Sequence, residues 1–389
     1  MTESIREIYL DNAATTRTDD EVCALVEECM RFSYGNPASL HEKGMEAEKY
    51  VKAAREAIAE TLGTDPKTIL FTSGGTESNN IAILGTALAK QRAGKHLVTT
   101  SVEHPSVRNP FRFLEEQGFE VTYLPVDRDG LVSVNELRNA IRPDTILVSV
   151  MHVNNEIGAV EPVEEIGTML KKEFPSVTFH VDAIQAYGKY QIRPKRSGID
   201  LLSASGHKIH GPKGTGFLYI AENVKIRPIL FGGGQQKNMR SGTENVPGEA
   251  GLGLAAEKMY KMRQQIVASM YERKQQLIDG LLTIDGTHIN GKIGKESAPH
   301  IVSCTFDGVR SEVLLHSLGS RGIYVSSGSA CASGHPSEIT TLAAIGLQKE
   351  KQEGTIRFSF SDETTEEEIR ITLDALREIL PVLRRYVRR

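Results

Sequence analysis

Apolar and polar positions along this chain switch repeatedly between two periods. Short apolar runs rich in Val, Ile, Leu and Phe mark buried strands, and longer stretches with apolar residues three or four apart mark helices. The run Tyr9 to Thr16 (YLDNAATT) reads as a short strand entering a polar turn, followed by a helix over 19–31. YGNPAS, residues 34–39, breaks the pattern, and a charged amphipathic helix follows over 44–62. The clearest switch is ILFTSGGTESNN, residues 69–80: ILFT is a buried strand, SGG a turn, and a helix opens at Thr76 and runs to 92.

Strand-like and helix-like segments then alternate over 96–100, 105–117, 120–124, 135–141, 145–150, 162–172 and 178–182. That alternation predicts an α/β fold, a mainly parallel sheet with helices on both faces. A long helical stretch over 246–282 is expected to bridge to a second, smaller α+β domain. That domain contains HIVSCTF, a helix over 311–318, GIYVSSGSACASGHPSE, the alternating TIRFSFS and a last helix over 365–387. The expected division is 16–260 for the large domain, and 1–15 with 261–389 for the small one.

The length of 389 residues suits two domains. A net charge of −4 provides no basic field for nucleic acid or an anionic membrane, so a small molecule or a protein is the expected partner. No apolar run is long enough to span a bilayer, and the first residues lack the basic-then-apolar order of a secretory signal, which predicts a cytoplasmic protein. Cys23, Cys29, Cys304 and Cys331 show no C-x-x-C spacing, so neither a disulfide framework nor a zinc ribbon is indicated.

In such a sheet, ligands sit where the loops leave the carboxyl ends of the strands. Five loops qualify: SGGT, SVEHPSV, MHVNNEIG, VDAIQAYG and SASGHKIHG. In the last, Lys208 lies among a hydroxyl, two imidazoles and glycines. It can form a Schiff base with an aldehyde while Ser205 and His207 hold an anion, or it can be a solvated loop lysine. Gly75 and Thr76 open a helix and form a weak anion signal. Asp182 ends a strand and suits a protonated ring nitrogen, although a helix cap is the commoner role. Gln185 can reach a ring hydroxyl or be a solvated helix residue. His104 can lie over a ring and move protons or be structural, and Asn155 can bind a ring or a carboxylate or belong to a turn. Their occurrence in successive strand-end loops favours the functional alternative for each.

YLDNAATT, GNPAS, FTSGGTES, MHVNNEIG, SGHKIHGPKG, MRSGTENV and SSGSAC follow one another in family order, and over nearly the whole chain the sequence resembles the cysteine desulfurases. These are pyridoxal-phosphate enzymes of the aspartate-aminotransferase fold (fold type I, with a seven-stranded, mainly parallel sheet). The resemblance implies that Lys208 binds the cofactor aldehyde, Asp182 faces the pyridine nitrogen, Gln185 the ring oxygen, and His104 stacks on the ring. Gly75, Thr76, Ser205 and His207 would meet the phosphate. Thr243 would reach the phosphate of a second subunit, which implies a homodimer.

Cys331 sits at the centre of an uncharged Gly/Ser-rich stretch, suited to a loop that carries a thiolate into a site and out again. A small buried cysteine, or a metal ligand paired with His335, are the alternatives, with metal ranked last. Cys304 reads as core, and Cys23 and Cys29 as part of a helix face. Arg357, on TIRFSFS, suits a bidentate pair with a substrate carboxylate, which the resemblance favours over an exposed strand arginine.

The implied reaction converts L-cysteine to L-alanine. Lys208 takes the Cα proton, Arg357 and Asn155 hold the carboxylate, and Cys331 receives the sulfur as a persulfide. That sulfur would pass to an acceptor protein for iron–sulfur cluster assembly or tRNA thiolation. A selenocysteine lyase or a cysteine sulfinate desulfinase of the same fold is the nearest alternative, and a cofactor-free sulfur carrier is a more distant one. The chain departs from the family pattern after Cys331, where it reads ASGHPSE rather than the Leu-Glu-Pro-Ser of many desulfurases.

Overall fold

A strand covered on both faces needs a near-continuous apolar run, and TILVSVM supplies one: all seven residues of Thr145–Met151 are buried. The computed structural model describes residues 7–328 and 340–386. After a short strand β1 (Ile8–Tyr9) come β2 (Ile69–Thr72), β3 (His96–Thr100), β4 (Glu120–Leu124), β5 (Thr145–Met151), β6 (Thr178–Asp182), β7 (Leu201–Ser205) and β8 (Gly216–Ile220). The last seven form one sheet in the order β2-β8-β7-β6-β5-β3-β4. Only β8 is antiparallel to its neighbours, so β2 on its far side again runs with β7. The carboxyl ends of β2, β3, β5, β6 and β7 therefore open onto one edge.

The second sheet is antiparallel. It is built from β9 (Thr287–Asn290), β10 (Ile301–Phe306), β12 (Ser326–Ser327) and β13 (Thr355–Ser359), in the order β12-β13-β10-β9. Its core joins Val302, Cys304, Phe306, Ile356 and Phe358 to Leu277, Ile369 and Leu376 of the flanking helices. Ile8 and Leu10 from the start of the chain enter the same core, and β1 pairs in parallel with β11 (Ile323–Tyr324).

The stretch 246–282 is two helices, Val246–Lys261 and Arg263–Leu282, because Met262 leaves helical geometry at φ −102°, ψ 3°. The chain then turns from the large core toward the second sheet. The strands β8 and β9 were not among those expected, although β8 (GFLYI) is a buried apolar run of the same kind as the others. The helix Glu42–Leu62 stops at Gly63, which adopts the left-handed φ of 65° that a side chain disfavours.

Candidate active site

The strand ends converge on a cavity of about 400 Å³. Lys208 lines it from the 3₁₀ turn Gly206–Lys208, directly after β7. Its Nζ donates to the carbonyl oxygens of Ala13 at 2.6 Å and Ala14 at 2.7 Å, in the first polar turn of the chain. The buried Lys189 braces the same turn, donating from Nζ to the Lys208 carbonyl at 2.6 Å.

Asp182, the last residue of β6, is 5 % exposed and faces the cavity. No helix follows it; it caps a turn, with Oδ1 accepting from the Ile184 N–H at 3.0 Å. Oδ2 accepts from the Asn79 side chain at 2.8 Å. Burial pushes the Asp182 carboxyl up from its ordinary range, and these two donors and the Lys208 charge pull it back.

Asn79 also donates to Ser106 Oγ at 2.9 Å, and Ser106 Oγ lies 2.8 Å from His104 Nδ1. That nitrogen accepts the Ser106 backbone N–H as well, so the ring proton belongs on Nε2 and the hydroxyl donates. A relay of Asp182, Asn79, Ser106 and His104 thus runs along one wall. Burial, followed by the charges of Lys208 and Arg108, pushes His104 down to about 4, so it is neutral at physiological pH.

Gly75, Thr76, Ser205 and His207 line the same cavity. The helix Gly75–Lys90 starts after Gly74 without a side-chain cap, leaving its first N–H groups directed outward. A Cβ on Gly75 would come within 2.1 Å of Ile184 Cδ1, so a side chain here would force Ile184 to shift. His207 is held neutral, its pKa pushed down to about 4 by burial and then by Lys208, Lys213 and Lys189.

Arg357 reaches the cavity from the second sheet and is only 7 % exposed, which excludes the exposed-strand alternative. Its Nη2 pairs with Asp11 at 2.9 Å and its Nη1 donates to the Asn155 carbonyl at 2.9 Å. Its buried Nε has no partner among the described residues. Asn155 and Gln185 also line the cavity; Gln185 is 6 % exposed and therefore not a solvated residue.

Thr243 is exposed and does not line the cavity of its own chain. Cys331, with His335, lies outside the described residues; Ser327 and Gly328, the last described residues before that stretch, line the cavity. Cys304 and Cys29 are buried, and burial pushes the Cys29 thiol up to about 11; Cys23 is exposed. Among the described residues, no group of three His, Cys, Asp or Glu side chains is set to hold a metal.

Sequence reasoning missed Asn79, Ser106, Asp11 and Glu103. Asn79 lies one helical turn after Thr76 in a motif already singled out, and that spacing was the available signal. Glu103 precedes His104, is fully buried, and accepts through Oε1 from Thr100 and the Met151 N–H. Burial holds its carboxyl well above the usual range.

A lysine and a buried carboxylate face one cavity at the carboxyl edge of this sheet, and the chain belongs to the class-V aminotransferases. The chain matches the family described as Aminotransferase class-V over residues 8–371. Within it, the chain belongs to the cysteine desulfurases. It is 45% identical to a cysteine desulfurase IscS of Methanosarcina thermophila over 379 residues, covering 97% of this chain and 93% of the relative. A putative cysteine desulfurase, IscS 1 of Bacillus subtilis, is 44% identical, with 94% and 96% covered. Among solved structures, a NifS-like protein superposes with a TM-score of 0.92 at 38% identity, covering 97% of this chain and 100% of the other. SspA in complex with cysteine gives 0.81 at 35% identity, with 92% and 100% covered.

Proposed function

We propose that the cavity holds pyridoxal 5'-phosphate, that the substrate is L-cysteine, and that Cys331 receives its sulfur. One observation carries the proposal: Lys208, Asp182 and the uncapped start of the helix Gly75–Lys90 line the same 400 Å³ cavity. When bound, pyridoxal phosphate supplies an aldehyde that captures amines and a ring that delocalises charge from a substrate α-carbon. The residues present fit that group. The free N–H groups at the helix start, with Thr76, Ser205 and His207, suit a phosphate. A buried Asp182 carboxylate suits a cationic ring nitrogen, which would offset its burial. Gln185 would meet the ring oxygen and His104 would stack on the ring, and both line the cavity.

Arg357 and Asn155 would hold the substrate carboxylate; the position of both on the cavity wall, with Arg357 only 7 % exposed, supports this. Lys208 is the base that takes the Cα proton. The Cys331 thiolate attacks the substrate sulfur, so the substrate Cβ–S bond breaks as the S–S bond to Cys331 forms. The carbon skeleton takes up protons and leaves as alanine. The net change is L-cysteine plus the Cys331 thiol to L-alanine plus the Cys331 persulfide.

Residues 16–260 act in this reading as the cofactor-holding unit, and 1–15 with 261–389 as the unit bearing Cys331. The exposure of Thr243 supports a homodimer in which it serves the phosphate of a second copy. The sulfur passes in the cytoplasm to an acceptor protein for iron–sulfur clusters or tRNA thiolation.

The test supplies L-cysteine to the purified enzyme and follows alanine together with the mass of the Cys331 peptide. One added sulfur on that peptide is expected, together with loss of transfer in Cys331→Ser that still holds cofactor. Unchanged sulfur delivery by Cys331→Ser would overturn the role.

A further inference from the structure

We propose that His300 is a positioning residue that fixes which edge of the Gln185 amide faces the cofactor cavity. The inference rests on the cofactor reading above and extends it to a residue of the second sheet. His300 immediately precedes β10 and is 2 % exposed, and its backbone carbonyl accepts from the Phe360 N–H at 3.0 Å. Its ring Nε2 lies 3.1 Å from Gln185 Oε1. On the other side, Gln185 Nε2 donates to the Ala13 carbonyl at 2.9 Å, the same oxygen that accepts from Lys208.

The chemistry of these partners assigns every proton. A backbone carbonyl only accepts, so the amide nitrogen must face Ala13 and the amide oxygen must face His300. The imidazole then donates from Nε2–H, which makes Nδ1 the bare nitrogen. Nδ1 is buried and has no partner among the described residues, as a neutral ring with this tautomer requires. A second proton would have to go to Nδ1, buried without an acceptor and surrounded by Lys189, Lys274, Lys208 and Arg357, whose charges add to burial in holding the ring neutral.

The consequence lies at Gln185. One amide N–H is spent on Ala13, and the second remains available on a side chain that lines the cavity. With His300 in place, the donor edge is the one presented to the cavity. Without it, the Gln185 oxygen loses its donor, the Ala13 carbonyl alone is left to orient the amide, and the donor edge is no longer held from both sides. A donor stabilises the ionised form of a ring oxygen, whereas a carbonyl opposes it. Through Gln185, His300 would therefore tune the charge state of a cofactor held in the cavity.

The experiment is a pH titration of the visible absorption of the holoenzyme, in wild type, His300→Ala, His300→Gln and Gln185→Ala. His300→Ala should raise the titration midpoint by about one pH unit, the size expected for a lost hydrogen bond to a charged group. His300→Gln, whose amide can donate from nearly the same place, should restore the wild-type midpoint. In a Gln185→Ala background, His300→Ala should add no further shift, and that pair decides the matter even if one single variant folds poorly. A wild-type band whose midpoint is unmoved by His300→Ala, or a full shift in the Gln185→Ala background, would overturn the inference alone. A wild type that forms no visible band with pyridoxal phosphate would overturn the cofactor reading, and the inference with it.

Discussion

Asn79 places one side-chain nitrogen 2.8 Å from Asp182 Oδ2 and 2.9 Å from Ser106 Oγ, so a single amide ties the buried carboxylate to the hydroxyl that holds His104. Both of its N–H groups are committed, and Asn79 itself is fully buried. Asn79→Ala leaves Asp182 with the Ile184 N–H as its only remaining described donor and loosens the His104 ring. Losing a charge-assisted bond costs about 1.5–3 kcal/mol. Cofactor affinity is expected to fall at least tenfold, measured by equilibrium titration with pyridoxal phosphate.

The Arg357 fork binds Asp11 and the Asn155 carbonyl at the cavity wall, and its buried Nε has no partner among the described residues. Lysine cannot reproduce that planar arrangement. Arg357→Lys is expected to raise KM for L-cysteine by about tenfold or more, as loss of a bidentate carboxylate contact implies, with a smaller effect on kcat. Steady-state alanine formation separates the two constants. An unchanged KM would remove the carboxylate role.

Helix starts supply the next test. The Cβ of Gly75→Ala would meet Ile184 Cδ1 at 2.1 Å, and Ile184 lines the cavity. The isoleucine must move, and overpacking of this kind costs about 1–3 kcal/mol. Weaker cofactor binding and a lower melting temperature are both expected, by titration and by thermal denaturation. Normal binding would show that the close approach is not needed.

His104 should leave a signature in the pH dependence of stability. Its native pKa, about 4, lies below the unfolded value of about 6.5, so its contribution is complete above the unfolded value. That contribution is lost as pH falls toward the native value, because only the unfolded chain takes up the proton. His104 also accepts the Ser106 N–H at the start of the helix Pro105–Glu116, a capping role that asparagine can fill. Urea denaturation of His104→Asn and wild type should diverge below about pH 6.5, with wild type losing up to about 1.4 kcal/mol more per pH unit. Parallel curves would mean that the imidazole takes up a proton in the folded state.

Much of this was legible in the sequence because the site is built from strand ends. Buried parallel strands are continuous apolar runs, and the polar residue that ends each run must lie on the shared edge. Thr76, His104, Asn155, Asp182, Ser205 and Lys208 were found that way, and all line the cavity. Contacts between distant segments leave no such trace. The Arg357–Asp11 pair and the His300–Gln185 bond span 346 and 115 residues, and periodicity carries no signal across such gaps. The break at Met262 was hidden because both helices have apolar residues at helical spacing on either side of it.

The most direct test of the account is chemical trapping at Lys208. Holoenzyme prepared with pyridoxal phosphate is reduced with borohydride, digested and mapped by mass spectrometry. The account predicts one reduced cofactor adduct, on the Lys208 peptide, and neither a visible band nor an adduct in Lys208→Ala. An adduct on Lys189 or another lysine in the wild type, with Lys208→Ala still coloured and active, would contradict it.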